Sequence, residues 1–115
     1  MARFYHQRLT VFTRAVESVH LADEVARELP PRWQAMADQL RRAALSIPAN
    51  IAEGAADFSA ANRKRHYRIA KGSAAEAASY VDLMRRTGGP APEALDALEN
   101  ALYEVICMLT ALITR

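Results

Sequence analysis

The chain has 115 residues, 15 basic and 13 acidic, for a formal net charge of +2. It is 51% apolar, and 24 residues are alanine against 4 glycines and 5 prolines. This balance excludes a disordered chain and fits a single all-helical domain over 1–115. No apolar run approaches the ~20 residues that span a bilayer. Arg3, Arg8, Arg14 and Glu17 interrupt any leader-like core. A cytoplasmic protein with no membrane role is therefore expected. The one cysteine, Cys107, leaves no internal disulfide.

Pro30-Pro31, the stretch from Gly54 to Ser59, and Gly88-Gly89-Pro90 divide the chain into four segments. The first, about 8–29, has Leu9, Phe12, Val16, Val19, Ala22, Ala26 and Leu29 at helical spacing. Pro30 ends it. The second, about 31–53, opens on a proline tolerated at a first helical position. It carries Trp33, Met36, Leu40, Ala44, Ile47 and Ile51 on one side. Pro48 lies inside this pattern, frees the carbonyl of Ala44 and predicts a kink. Gly54 reads as the stop.

The third segment, about 59–86, starts at Ser59 as an N-cap. It shows a stripe of His66, Ala70, Ser73, Ala77, Tyr80 and Met84, mostly small enough for close helix approach. The fourth, about 92–114, has Leu95, Leu98, Leu102, Val105, Leu109 and Leu112 as its seam. Four helices with short connections predict an antiparallel up-down-up-down four-helix bundle.

The last helix has apolar side chains to spare. Between Val105 and Ile113 only Thr110 is polar, and Ile106, Met108 and Ile113 are the candidates for a subunit interface. Burial beneath Phe4 and Tyr5 is the alternative. Charge is also divided. Between Asp57 and Glu76 the charged residues are Arg63, Lys64, Arg65, Arg68 and Lys71; from Glu93 to Glu104 they are Glu93, Asp96, Glu99 and Glu104. Head-to-tail contact between copies would pair the two strips and close a homo-oligomeric ring. Mutual neutralisation within one bundle is the competing reading.

No catalytic constellation is evident. Glu17-Ser-Val-His20 is a lone Glu-x-x-His, and a di-iron bundle requires two plus further inward glutamates. Cys107, between Ile106 and Met108, reads as inert packing. A phosphate loop, an HExxH and a CxxC are all missing. No enzyme activity, metal or cofactor is expected. Nucleic acid is the stronger candidate. Lys64, Arg68 and Lys71 fall at i, i+4 and i+7 on one helix side, with Arg63, Arg65 and an aromatic among them. Arg41-Arg42 and Arg85-Arg86 add two more basic pairs. Thirteen of the 15 basic residues are arginine, which suits bidentate phosphate contact.

The run from Gln39 to Gly54, QLRRAALSIPANIAEG, is followed by Ile69-Ala-Lys-Gly-Ser-Ala-Ala-Glu76. This pattern resembles the bacterial four-helix-bundle family named for 23S rRNA intervening sequences. It is similar also to the accessory variability protein of diversity-generating retroelements. The resemblance runs from Leu9 to Arg86. It implies a bundle that assembles into a ring, commonly a pentamer. It also implies a basic surface with RNA, DNA or a nucleic-acid-processing protein as partner. The chain departs from the pattern at Leu29–Trp33, where Leu-Pro-Pro-Arg-Trp stands.

The motif residues Ser46, Pro48, Asn50, Glu53, Gly54, Gly72 and Ser73 are read as structural, with a partner or ligand site as the alternative. Ser46 or Asn50 would satisfy backbone freed by Pro48, and Glu53 would pair with an arginine or cap the third helix. The expected function is a non-enzymatic homo-oligomeric bundle binding nucleic acid, RNA before DNA, through its third helix. A protein-interaction scaffold with no nucleic-acid role is the alternative.

Overall fold

The structure, a computed structural model, describes residues 2–115. A single 3-10 turn, Tyr5–Arg8, precedes α1, Thr10–Arg27. Gln7 Oε1 ties that turn down by accepting the N–H groups of Arg3 and Phe4, both at 2.9 Å. A second 3-10 turn, Pro31–Trp33, leads into α2, Gln34–Ala56. α3 spans Ala60–Thr87 and α4 spans Pro92–Thr114. Among the described residues there is no strand. Each helix packs on two others: α2 touches α1 and α3, and α4 touches α1 and α3. The molecule measures 44 × 28 × 20 Å.

Local chemistry explains most of the ends. Ser59 caps α3, its hydroxyl accepting from Asn62 N–H at 3.3 Å, while Asp57 Oδ1 accepts Ser59 N–H at 2.8 Å. Gly88 and Gly89 leave α3 at φ 75° and 107°, a region that disfavours other residues. A Cβ on Gly89 would also stand 3.0 Å from the carbonyl oxygen of Glu28. α4 starts with Pro92, and Glu93 lies in its first turn.

Two helices turn inward a different face from the stripe that the sequence spacing predicts. α1 buries Val11, Ala15, Ser18, Ala22, Val25 and Ala26. Phe12, Val16 and Val19 are only half-buried, at its side. Ser18 is tolerated in the core because its hydroxyl donates to Ala15 O at 2.6 Å. α3 buries Tyr67, Ala70, Ala74, Ala77, Val81 and Met84; His66, Ser73 and Tyr80 stand at its edge.

Gly54 is not a stop. α2 continues through it to Ala56, and Gly54 is buried against α3. A Cβ there would lie 2.8 Å from Tyr67 Cε1 and 3.1 Å from Arg63 O. The missing side chain lets two backbones meet.

The core is otherwise aliphatic: Leu40, Ile47 and Ile51 of α2 and Leu98, Leu102, Val105 and Leu109 of α4 are all fully buried and belong to one cluster. Each such side chain stabilises the fold by ~1.5–3 kcal/mol. By length and composition α4 would reach across a membrane. Its leucine seam is used on the core instead.

Candidate nucleic-acid interface

The five cations of α3 are brought together on its first half. Arg65 and Arg68 are exposed, and Arg63, Lys64 and Lys71 are half-buried. Among the described residues none of the five forms an ion pair with an acidic side chain other than through the neighbouring histidine. Arg63 donates to the main-chain oxygen of Asp57 at 3.1 Å. Lys64 donates to the main-chain oxygen of Arg115 at 2.6 Å. Arg65 lies 3.5 Å from His66 Nε2.

Other arginines are differently placed. Arg14 binds both Glu17 and Glu104, and these carboxylates hold its guanidinium above its ordinary range. Arg85 meets Asp96 at 2.8 Å and Glu99 at 3.1 Å. Three of the four acids on α4 are therefore engaged within the chain, by Arg14 and Arg85. They do not pair with the five cations on the first half of α3; the α3 cation they meet is Arg85, near its end. Glu17, of the Glu-x-x-His pattern, is likewise held by Arg14.

Arg41 and Arg42, paired in sequence, part company on α2. Arg41 turns to α1, where Asp23 accepts from its Nε at 3.0 Å, with Asp38 3.7 Å away. That hydrogen bond, with Arg27 nearby, holds the Asp23 carboxyl below its ordinary value. Arg42 is exposed, one turn before Ser46 and so on the α3 side of the helix.

The motif residues build a polar seam between α2 and α3. Ser73 Oγ donates to Ser46 Oγ at 2.8 Å. Asn50 Nδ2 donates to Ser46 O at 2.9 Å and lies 3.1 Å from Ser46 Oγ. His66 Nδ1 lies 3.3 Å from Asn50 Oδ1 and 3.4 Å from Glu53 Oε2, within reach of both oxygens. Glu53 thus faces a histidine; it neither meets an arginine nor caps α3. Asn50 reaches the carbonyl of Ser46, not the carbonyl of Ala44 that Pro48 leaves free. Pro48 itself lies on the other side of α2, facing α1. Gly72 is exposed, and a Cβ on it would touch nothing within 4 Å. Nothing in the structure explains that glycine.

Ile106, Met108 and Ile113 are half-buried and pack against the core. Met108 and Leu112 line an open hollow together with Arg8 and Leu9, while the turn before α1 packs against α1 and α2 and leaves Phe4 and Tyr5 exposed. Cys107 is exposed, beside Tyr103, on the outer side of α4 and not packed inside. Open apolar surface lies instead between α1 and α2. There Phe12, Val16, Val19, Leu45, Pro48, Ala49 and Ala52 line a groove of about 410 Å³, and Leu45 is 57% exposed.

Tyr67 was legible only as an aromatic among cations. The alternative stripe Tyr67, Ala70, Ala74, Ala77, Val81 and Met84 has the same helical spacing as the one centred on His66, and its bulkier members were the available signal. Its phenol is held above the ordinary value by burial and, less, by Tyr5, with Arg63 opposing.

Side-by-side helices, one of them carrying five clustered cations without acidic side-chain partners, define a small all-helical protein. Residues 7–111 match the family of 23S rRNA-intervening sequence proteins. The chain belongs to that family. A solved structure from Bacteroides thetaiotaomicron, described as a protein of unknown function from the S23 ribosomal protein family, is similar over 92% of this chain and 100% of its own. It superposes with a TM-score of 0.84 at 24% identity, a likeness of fold. No curated protein matches the chain significantly.

Proposed function

We propose that this protein is a non-enzymatic, cytoplasmic, ring-forming helical bundle that binds RNA through phosphates along α3. One observation carries the reading: Arg63, Lys64, Arg65, Arg68 and Lys71 share half of one helix and lack acidic side-chain partners, whereas Arg14, Arg27, Arg41 and Arg85 each have one. Unpaired cations at this density suit a polyanion. The family's name favours RNA over DNA as the partner.

Contacts between helices support an antiparallel up-down-up-down course. Ser46 meets Ser73 while Asn50, later on α2, meets His66, earlier on α3. Arg14 meets Glu104 while Glu28 meets Ala91. The groove between α1 and α2 supports assembly of copies, with a pentamer as the favoured ring, because a ring would cover Leu45 and repeat the basic face around its rim.

The test is fluorescence anisotropy with a labelled single-stranded RNA across a salt series. Affinity should fall linearly on a log–log plot, with a slope of about −0.7 for each phosphate contacted. Substituting Arg63, Lys64, Arg65 and Arg68 together with glutamine should abolish binding while leaving the solution mass unchanged. Absence of binding at low salt by the assembled protein would overturn the reading and leave a protein-interaction scaffold.

A further inference from the structure

The cationic face runs into a cavity at its N-terminal end. Tyr5, Leu9, Arg63, Lys64, Tyr67 and Leu112 are among the residues that enclose about 550 Å³ where α3 begins and α4 ends. That volume falls within the range of small-molecule pockets. No acidic side chain lines it. Leu9 and Leu112 form an apolar floor, and Arg63 and Lys64 belong at once to the cavity and to the exposed strip. Tyr5 is 59% exposed. Tyr67 is 4% exposed.

The cavity owes its shape to Gly54. Tyr67 can lie against α2 only because Gly54 has no Cβ, which would stand 2.8 Å from the ring. The cations are available. Arg63 uses one guanidinium nitrogen on the Asp57 carbonyl and retains other N–H groups. Lys64 reaches the main-chain oxygen of Arg115, a contact that an entering phosphate would replace.

An apolar floor, an aromatic face and three cationic residues, Arg63, Lys64 and Arg115, around one pocket match the parts of a single nucleotide: base, sugar and phosphate. A duplex offers stacked, inaccessible base faces, whereas an unpaired strand can turn a base out onto an aromatic ring. We infer that this cavity holds one unstacked nucleotide of a single strand lying along α3, its base against Tyr5 and its phosphate between Arg63 and Lys64. The inference rests on the RNA-binding reading and adds a preference for single strands, which a basic face alone would not give.

The experiment uses the full chain at low salt with a 12-nucleotide RNA, offered single-stranded and as a blunt duplex of the same sequence. The protein should bind the single strand about tenfold more tightly. Tyr5→Ala, at an exposed position, should erase that preference and leave duplex binding unchanged. Arg68→Gln, outside the cavity, should weaken both forms alike. Equal affinity for the two forms, or a single-strand affinity untouched by Tyr5→Ala, overturns the cavity proposal while the basic face stands. Failure of both RNAs to bind overturns the basic face together with it.

Discussion

Two glycines of the sequence motif have opposite meanings at the level of atoms. Gly54 sits where α2 and α3 touch, and Gly54→Ala forces its methyl against the Tyr67 ring and the Arg63 backbone. Overpacking of that kind should destabilise the protein by about 1–3 kcal/mol in chemical denaturation. Gly72→Ala fills open space in mid-helix, so the same measurement should show stabilisation of roughly 1 kcal/mol. If both variants lose stability, the packing assigned to Gly54 is not what distinguishes them. The sequence marks both residues equally, because a motif records that a glycine stands there and not what lies beside it. Asn50 is similar. Its side chain was readable as a partner for backbone near Pro48, but its position between Ser46 and His66 depends on a second helix.

Among helices, most ends were legible, and so were the inward faces of α2 and α4; those of α1 and α3 were not. Ser59, Pro92 and Gly88-Gly89 act through their own backbone torsions and nearest N–H groups, so their effect is local and readable. The inward face of α1 is a collective choice. It carries a small arc, Val11, Ala15, Ser18 and Ala22, and a bulky arc, Phe12, Val16 and Val19; close packing against α2 and α4 selects the small one. The bulky arc is left beside Leu45. Leu45→Asp changes an exposed side chain and should leave the melting temperature nearly unchanged while lowering the solution mass to that of one chain, by native mass spectrometry. An unchanged assembled mass would remove this groove from the interface.

Between α1 and α2 the Asp23–Arg41 pair sets an acid dependence. A carboxyl depressed in the folded state contributes stability that is present above its unfolded value, near 3.8, and is lost as pH falls through the lower folded value. Asp23→Asn should therefore lower the melting temperature at neutral pH and make the remaining profile flatter on acidification.

At the scale of the whole molecule, the small net charge of +2 conceals an uneven distribution. Three of the four acids of α4 are matched by Arg14 and Arg85, and the imbalance collects on the first half of α3. Composition revealed the two strips, but which partners satisfied them was settled only by how the helices lie against one another. The basic strip has a further consequence. Cations near the start of a helix face the positive end of the backbone dipole as well as one another. The first turn of α3 contains no acidic residue to offset them. The region that attracts phosphate is thus under electrostatic tension in the free protein. Added salt, which loosens RNA, should raise the melting temperature of the unliganded chain, and a bound polyanion should raise it further. Thermal scans with and without salt would read both effects: affinity and intrinsic stability respond to ionic strength with opposite signs.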